Sequence, residues 1–193
     1  MRARRIAICA VIGAVAILTV SCSSTTDTTV PVTGITVVFS ESWEIDGFPA
    51  HDEASLTETL STEGALILLP TTPSPTAGAT TASVTVLRAV PSSLARAVVA
   101  LHTEDDNLVI SVSSSEAGLG VGCDYRFSGA DGSPAPWGAM DVRGHPGCGT
   151  APPGAGVIVQ WEEHGHLFQA SSPLLGIDQI VAWLSDWRLL PDQ

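Results

Sequence analysis

The chain of 193 residues has no lysine, and its 8 basic residues, all arginine, stand against 20 acidic residues. Three of the arginines precede residue 6, so residues 22–193 keep five arginines, all twenty acids and a formal charge of −15. Non-specific nucleic-acid binding needs a dense basic surface, as does docking on anionic headgroups through a polybasic patch. The composition excludes the first function and argues against the second. We expect the acidic excess to keep the domain soluble and to repel it from anionic lipid.

Sequence patterns of several enzyme classes are also absent. The chain contains no GxSxG nucleophile elbow, no HExxH zinc motif and no P-loop. Surface carboxylates and histidines are the remaining basis for catalysis, and an envelope hydrolase that uses them is the alternative function. We therefore predict that the protein is not an enzyme and that it uses no cofactor.

An apolar run long enough to span a membrane is missing, but a shorter one lies near the start of the chain. Residues 6–20 are uncharged and follow Arg2, Arg4 and Arg5. About 20 residues are needed to span a bilayer as a helix, and a basic flank before a shorter apolar run is typical of a secretory signal. Residues 18–22 (LTVSC) resemble the lipobox of bacterial lipoproteins, in which the cysteine is acylated and begins the mature chain.

The chain is therefore predicted to have three parts. Residues 1–21 are interpreted as a lipoprotein signal peptide, and Cys22 as the lipidation site. Residues 22–33 are small and polar and cannot bury enough apolar surface to offset the entropy of ordering them, so we interpret them as a flexible tether. Residues 34–193 form one globular domain on the outer face of the cell membrane. A transmembrane anchor, a secreted product and twin-arginine export are the alternatives.

The two remaining cysteines of the predicted domain are Cys123 and Cys148, since Cys9 lies in the signal peptide. An even number of cysteines in an exported chain predicts a disulfide bond. The bond would close a loop of about 26 residues rich in glycine and proline, which the chain-entropy model values at roughly 3–4 kcal/mol. Metal ligation by both cysteines and His145 is the alternative, but no CxxC motif accompanies them.

Hydrophobic patterning predicts an α+β fold with a mainly antiparallel sheet. Strands are predicted at residues 34–40, 65–69, 82–90, 95–102, 108–114, 138–143, 156–161 and 166–171. Turns at residues 104–107 and 162–165 make two hairpins, and residues 70–83 read as a low-complexity loop. A short helix is predicted at 52–60, and an amphipathic helix at 176–187 that covers the sheet. Its Trp183 lies off the apolar stripe and is expected to be partly exposed.

The segment that closes the chain resembles a known family. Its ordered elements are VQWEEHGHLF at 159–168, SSPL at 171–174 and the helix at 177–184. This series is similar to the closing motif of an extracytoplasmic bacterial domain of unknown function, found in lipoproteins and in the outer parts of anti-sigma factors. Residues 65–70 and 84–87 are similar to its opening, and Phe168 stands where the family has tyrosine.

That family has a layout similar to the half-open LolA/RseB sheet, which holds lipid or senses the state of the envelope. The resemblance implies an extracytoplasmic location and a hydrophobic ligand or an envelope protein as partner. It implies no catalytic residues. Together with the predicted lipid anchor, it favours a non-enzymatic binding or envelope-interaction module.

Two groups of residues have the types that bind metal ions. His164 and His166 would share a face if they lay on a strand, with Glu162 and Glu163 beside them. Gly165 favours a turn at this point, where the side chains are solvated. Likewise, the acidic residues 104–106 could supply oxygen ligands to calcium, but a full calcium loop needs ligands at fixed offsets. We predict no metal site.

The remaining candidates surround two tryptophans. Glu41, Glu44 and Asp46 flank Trp43, and paired carboxylates of this kind carry out glycoside hydrolysis when a cleft sets their separation. Trp43 and Trp137 lie in regions with irregular patterning, so either could line a ligand-binding surface. The alternative is that both are aromatic anchors that hold loops in place.

Overall fold

The computed structural model describes residues 34–44, 53–71, 78–90, 95–116, 123, 127–128 and 134–192, all of which belong to the compact unit Pro31–Gln193. The predicted signal peptide, Cys22, the tether and Asp46 lie outside the described residues. Among the residues that are described, no helix is both long enough and apolar enough to span a membrane.

The described part of the chain forms strands and two helices in the following order. The elements are β1 (Gly34–Glu44), α1 (Glu53–Glu63), β2 (Ile67–Leu69), β3 (Ala79–Val90), β4 (Ala95–Thr103), β5 (Leu108–Glu116), β6 (Phe127–Ser128), β7 (Pro134–Ala135), β8 (Gly138–Val142), β9 (His145–Thr150), β10 (Val157–Glu163), β11 (His166–Ser172), α2 (Ile177–Leu184) and β12 (Arg188–Leu190). The fold is α+β with a mostly antiparallel sheet, as predicted.

The main sheet has eight strands in the order β1-β3-β4-β5-β11-β10-β9-β8, and each neighbouring pair is antiparallel. Both predicted hairpins, β4–β5 and β10–β11, lie within it. At the tip of the second hairpin the φ angles of His164 and Gly165 are 51° and 72°. Positive φ at both central residues is typical of the tight turns that match the twist of a two-stranded hairpin.

Strand β9 and the start of β3 depart from the prediction. The sequence places residues 145–150 in the glycine- and proline-rich loop, but they form a strand between β8 and β10. Gly147 permits this close pairing, because a β-carbon there would lie 2.5 Å from the carbonyl oxygen of Gln160. Strand β3 begins at Ala79, inside the predicted loop 70–83, since pairing with both β1 and β4 stabilises small polar residues as a strand.

One face of the sheet is the core face. Side chains alternate along each strand, and cross-strand partners share a face. One row of partners across this face is Val86, Ala97, Ser114, Phe168 and Trp161. The rings of Trp161 and Phe168 stack with their centroids 5.3 Å apart, and both side chains are fully buried.

A second layer lies against the core face. Helix α1 contacts β1, strand β2 contacts β4 and β5, and α2 contacts β10, while β2 pairs with β12. The hydroxyl of Ser114 donates to the Leu66 carbonyl from the core face. Helix α2 ends at Leu184, three residues before the predicted end. The prediction for Trp183 is wrong, because its side chain is buried beside Trp187 in an edge-to-face pair.

Candidate functional site

The second face of the sheet carries a surface that we call the open face. Its central row of cross-strand partners is Ser40, Thr85, Val98, Ser113, Gln169 and Gln160. A parallel row consists of Ser42, Ser83, Ala100, Ser111, Ser171 and Ile158. Side-chain hydrogen bonds reach the core face from the end of α1 and from the residue before β2, at Arg88 with Glu63 and at Ser114 with the Leu66 carbonyl. Strand geometry places the two rows on the other side of the sheet, where hydroxyl and amide groups are interspersed with Val98, Ala100 and Ile158 and where Ser113 is 9% exposed.

The open face is polar but almost uncharged, in a chain of formal charge −12. Charged partners occur at its margins, where Glu44, Arg96 and Glu162 lie in the outer rows. Side-chain hydrogen bonds run along the face: Gln160 Nε2 donates to Gln169 Oε1 at 2.8 Å, and Arg96 donates to Ser113 Oγ at 3.3 Å. Such a surface can hydrogen-bond to a polar partner with little cost of desolvating ions.

The disulfide bond lies at one end of the open face. Cys148 pairs across the sheet with Gln160, and Cys123 bonds to it with the two Cα atoms 5.8 Å apart, which fits the predicted disulfide. Close to this bond the Thr150 hydroxyl and the Gln160 amide oxygen are buried and have no hydrogen-bond partner among the described residues. Because both atoms are shielded from solvent, this end of the face is less accessible to a partner than its centre.

The structure separates the two tryptophans that were candidates for a ligand-binding surface. Trp43 is on β1, at one edge of the sheet, and Trp137 directly precedes β8, at the other edge. The Trp43 side chain is 9% exposed and points to the core face opposite Ala82, and its indole nitrogen has no hydrogen-bond partner within the part of the chain that the structure describes. Trp137 is partly exposed. A role in ligand binding for either residue stays a prediction.

The hairpin candidates for metal binding point in different directions. Glu162 is exposed on the open face, while Glu163 is buried on the core face. His164 is exposed in the turn, and the His166 ring lies 3.0 Å from the Gly64 carbonyl oxygen and 3.2 Å from that of His164. Throughout the described ranges, no group of three or more His, Cys, Asp or Glu side chains is arranged to hold a metal ion.

The acidic candidates are dispersed as well. Residues 104–106 form the exposed β4–β5 turn, in which Asp106 lies 3.8 Å from His102. Glu41 and Glu44 both lie on the edge strand β1, but their cross-strand partners, Val84 and Thr81, are on opposite faces of the sheet. The described carboxylates near Trp43 therefore do not face each other across a cleft.

The most strongly connected polar group is a buried cluster around Glu163. Arg143 Nε donates to Glu163 Oε2 at 3.0 Å, and Trp161 Nε1 donates to the same oxygen at 3.0 Å. Another nitrogen of the Arg143 guanidinium donates to the carbonyls of Leu184 and Trp187 at 2.5 and 2.6 Å. One arginine thus satisfies a buried carboxylate and caps the C-terminal end of α2.

The electrostatics of the cluster favour the ionised carboxylate. Burial would raise the pKa of Glu163, but the hydrogen bonds from Arg143 and Trp161 and the charges of Arg143 and His145 together lower it below its ordinary value. A general acid needs the opposite shift at neutral pH. Because Glu163 is also only 5% exposed, we interpret the cluster as structural: it holds the β8–β9 turn and β10 against the C-terminal end of α2.

Sequence reasoning missed Arg143, which stood as the last residue of a predicted strand. Its φ is 57° and that of Gly144 is 82°, so the pair forms the tight turn between β8 and β9. The available signal was Arg-Gly between two segments of strand-like residues. Because β9 contains a proline and two glycines, its residues do not show a strand pattern, and the turn that precedes it was therefore not predicted.

A groove of about 550 Å³ lies between residues 151–157 and 173–176. Its lining is mostly small and apolar, and Leu174 at its margin is 57% exposed. The groove is open to solvent at the N-terminal end of α2 and is separate from both the open face and the Glu163 cluster.

Comparisons with models of known protein families, with curated protein sequences and with solved structures give no match to this chain.

Proposed function

We propose that the protein is a non-enzymatic, lipid-anchored binding module on the outer face of the cell membrane, and that it binds its partner through the open face. The observation that carries the proposal is the contrast between the two faces of one sheet. Helices and β2 pack on the core face, while the other face presents rows of hydroxyl and amide groups with charges at the margins. These groups offer hydrogen-bond donors and acceptors to a protein partner, and protein interfaces carry about one hydrogen bond per 100–200 Å².

Two features support binding over the alternative of an envelope hydrolase. The histidines and carboxylates of the β10–β11 hairpin point in different directions, and the best-connected carboxylate, Glu163, is buried and paired with Arg143. Its pKa is lowered, which suits a permanent ion pair. Neither the residues of this hairpin nor the Glu163–Arg143 pair provides the nucleophile, base and cleft that hydrolysis needs.

An envelope protein is the partner that we favour over a hydrophobic ligand. The space between the core face and the second layer is filled by fully buried side chains, such as Val84, Leu101, Ile110 and Phe168. We further propose that α2 is the amphipathic cover of this face and that the layout is related to the LolA/RseB arrangement. Support comes from Ile180 and Leu184, which are buried on α2, and from the contact of α2 with β10.

The predicted lipid anchor is tested by replacing Cys22 with serine. We expect the wild-type chain to fractionate with membranes and to yield an acylated N-terminal peptide beginning at Cys22 in mass spectrometry. The Cys22→Ser chain should lose the acyl group and at least about tenfold of its membrane-bound fraction, because a lipidated cysteine is needed for anchoring. Cys9→Ser is the matched control and should leave acylation unchanged. An unmodified Cys22 in the membrane-bound wild-type chain would disprove the anchor.

Binding through the open face is tested by site-specific photo-crosslinking in cells. A benzoylphenylalanine at Gln169, in the centre of the face, should give one protein adduct that mass spectrometry identifies. The same group at Asp105, in the exposed β4–β5 turn, is the control and should not give that adduct. Adding Ser111→Arg should reduce the Gln169 adduct about tenfold or more, since an unpaired charge in a contact is costly. An adduct of equal yield from both positions, or none from Gln169, would count against this binding surface.

A further inference from the structure

A small apolar patch interrupts the polar character of the open face at its edge. It consists of Ile35, Val37, Leu87 and Ala89, which we call the β1 corner. Ile35 pairs with Ala89 and Val37 pairs with Leu87, so the four side chains are contiguous on one face. Ile35 and Val37 are 54% and 56% exposed, and with Leu174 they are the exposed large hydrophobic residues of the described ranges.

The position of this patch relative to the tether suggests what covers it. Gly34 begins β1 next to Ile35, and eleven residues, 23–33, separate it from the proposed lipidation site at Cys22. A flexible chain of that length spans about 20 Å on average and about 40 Å when fully extended. If Cys22 carries the lipid, the β1 corner is the exposed apolar surface held nearest the bilayer.

The charges along the strands favour the same orientation. Arg96 pairs with Leu87 and lies beside the β1 corner, exposed and, within the described residues, without an ion pair to a carboxylate. The acidic residues 104–106 follow the opposite end of β4, about 30 Å away for a strand of nine residues. Glu116, at the Arg96 end of the sheet, is on β5, three strands from β1 in the sheet order.

We propose that the β1 corner docks on the bilayer surface, with Ile35 and Val37 against the interface and Arg96 beside a lipid phosphate. This inference rests on the proposed lipid anchor at Cys22. The acidic turn then points away from the membrane. The overall negative charge repels the domain from anionic lipid, and Arg96 offsets part of that repulsion beside the β1 corner, while the exposed Glu162 lies in the same cross-strand row but on β10, several strands away.

A second copy of the chain fits the β1 corner less well. Edge strands can pair with each other, but the β1 register shifts between Val37 and Phe39, and such irregularities limit edge-to-edge pairing. Two copies would also bring together two domains of high negative charge.

Hydrogen exchange measured by mass spectrometry tests the docking. The acylated chain is reconstituted in vesicles of 70% phosphatidylcholine and 30% phosphatidylglycerol and compared with the unacylated Cys22→Ser chain in buffer. We expect amide exchange in residues 34–38 to slow by about tenfold in the vesicles, because docking shields an otherwise open strand edge. Exchange in residues 104–107 should not change.

Matched variants separate docking from general effects of the bilayer. Ile35→Asp with Val37→Asp should abolish the slowing, and Val37→Asp alone should reduce it. Leu174→Asp changes an equally exposed aliphatic side chain elsewhere and should leave the slowing intact. An anchored, acylated chain with no slowing at 34–38 would overturn the docking and leave the anchor standing. An unacylated wild-type chain would overturn both. Slowing that depends on protein concentration without vesicles would assign the patch to a second copy.

Discussion

Replacing Arg143 with methionine should lower the free energy of unfolding by about 3–5 kcal/mol, the usual result of removing one partner from a buried ion pair. The substitution leaves the Glu163 carboxylate, in a residue only 5% exposed, without its cation. It also removes the donor to the carbonyls of Leu184 and Trp187 at the end of α2. Methionine keeps a similar length and the same β-carbon, so the backbone at φ 57° is no more strained than before. Denaturant unfolding at pH 7 measures the loss.

Arg88→Met is the matched control for this prediction. Arg88 also bonds a glutamate, Glu63, with two nitrogens. The side chains of Glu63 and Glu163 are equally buried, but Arg88 is 46% exposed and Arg143 is 13% exposed. Solvent screens the exposed arginine and can reach its carboxylate when it is removed, so the Arg88→Met variant should lose much less stability. Equal losses in the two variants would show that burial of the arginine does not set the energy.

The pH dependence of the same variants gives a second readout. Because the pKa of Glu163 is lowered by the fold, its ionised form stabilises the wild type above the ordinary value of 4.5. That stabilisation is lost as the pH falls through the lower pKa of the folded state. Without Arg143, burial raises the pKa of Glu163, so the stability difference between wild type and Arg143→Met should begin to narrow above pH 4.5, as the variant's carboxyl protonates, and should continue to narrow as the pH falls through the lowered pKa of the wild type. A constant difference across this range would contradict the role of the ion pair.

Replacing both Cys123 and Cys148 with alanine should lower the free energy of unfolding by about 3–4 kcal/mol. The bond joins residues separated by 25 positions, and it limits the conformations available to the unfolded chain. Cys148 is fully buried, and alanine fits there without a clash. Urea unfolding under oxidising conditions measures the change, and the dependence on urea should steepen because the uncrosslinked chain exposes more surface.

Reductant provides the control for the disulfide. The wild type in dithiothreitol should approach the stability of the double variant, while the double variant should not respond to dithiothreitol. A loss below about 1 kcal/mol would mean that the crosslink adds little beyond the contacts of the folded loop. A further loss on reduction of the double variant would show that the assay reports something other than this bond.

The sequence predicts the sheet well where side chains alternate clearly. The hairpins β4–β5 and β10–β11 follow from alternation and from turn residues, and Gly165 has the positive φ expected of it. The antiparallel class follows from these hairpins. In these segments the local residue pattern and the tertiary strand pairing favour the same structure, so the pattern predicts the pairing.

Elements that depend on distant partners were not predictable in the same way. Strand β9 consists largely of proline, glycine and cysteine, and it is stabilised by pairing with β8 and β10. Strand β12 has three residues and exists because β2, more than a hundred positions earlier, pairs with it. Short segments of this kind have no periodicity that a window of sequence can register.

The features of the candidate site also differ in whether they could be predicted from the sequence. The disulfide could be predicted because cysteine count and spacing are visible in one dimension. The open face could not be predicted, because no sequence pattern marks its serine residues. Only the strand register places Ser113 opposite Gln169 and Val98. The Glu163 cluster combines residues from a turn, a strand and a helix end, and no short motif contains them.

The order of the strands divides the sheet into two halves, each built from one continuous stretch of the chain. Strands β3, β4 and β5 are neighbours in sequence and in space, as are β8, β9, β10 and β11, so each half closes short loops. The seam between them is β5–β11, which pairs Ser111 with Ser171 across about sixty residues of chain. During synthesis the edge of β5 therefore remains unpaired until residue 171 has emerged. Non-local pairing of this kind is slow to form, and for that interval β5 is the strand most in need of protection from other chains.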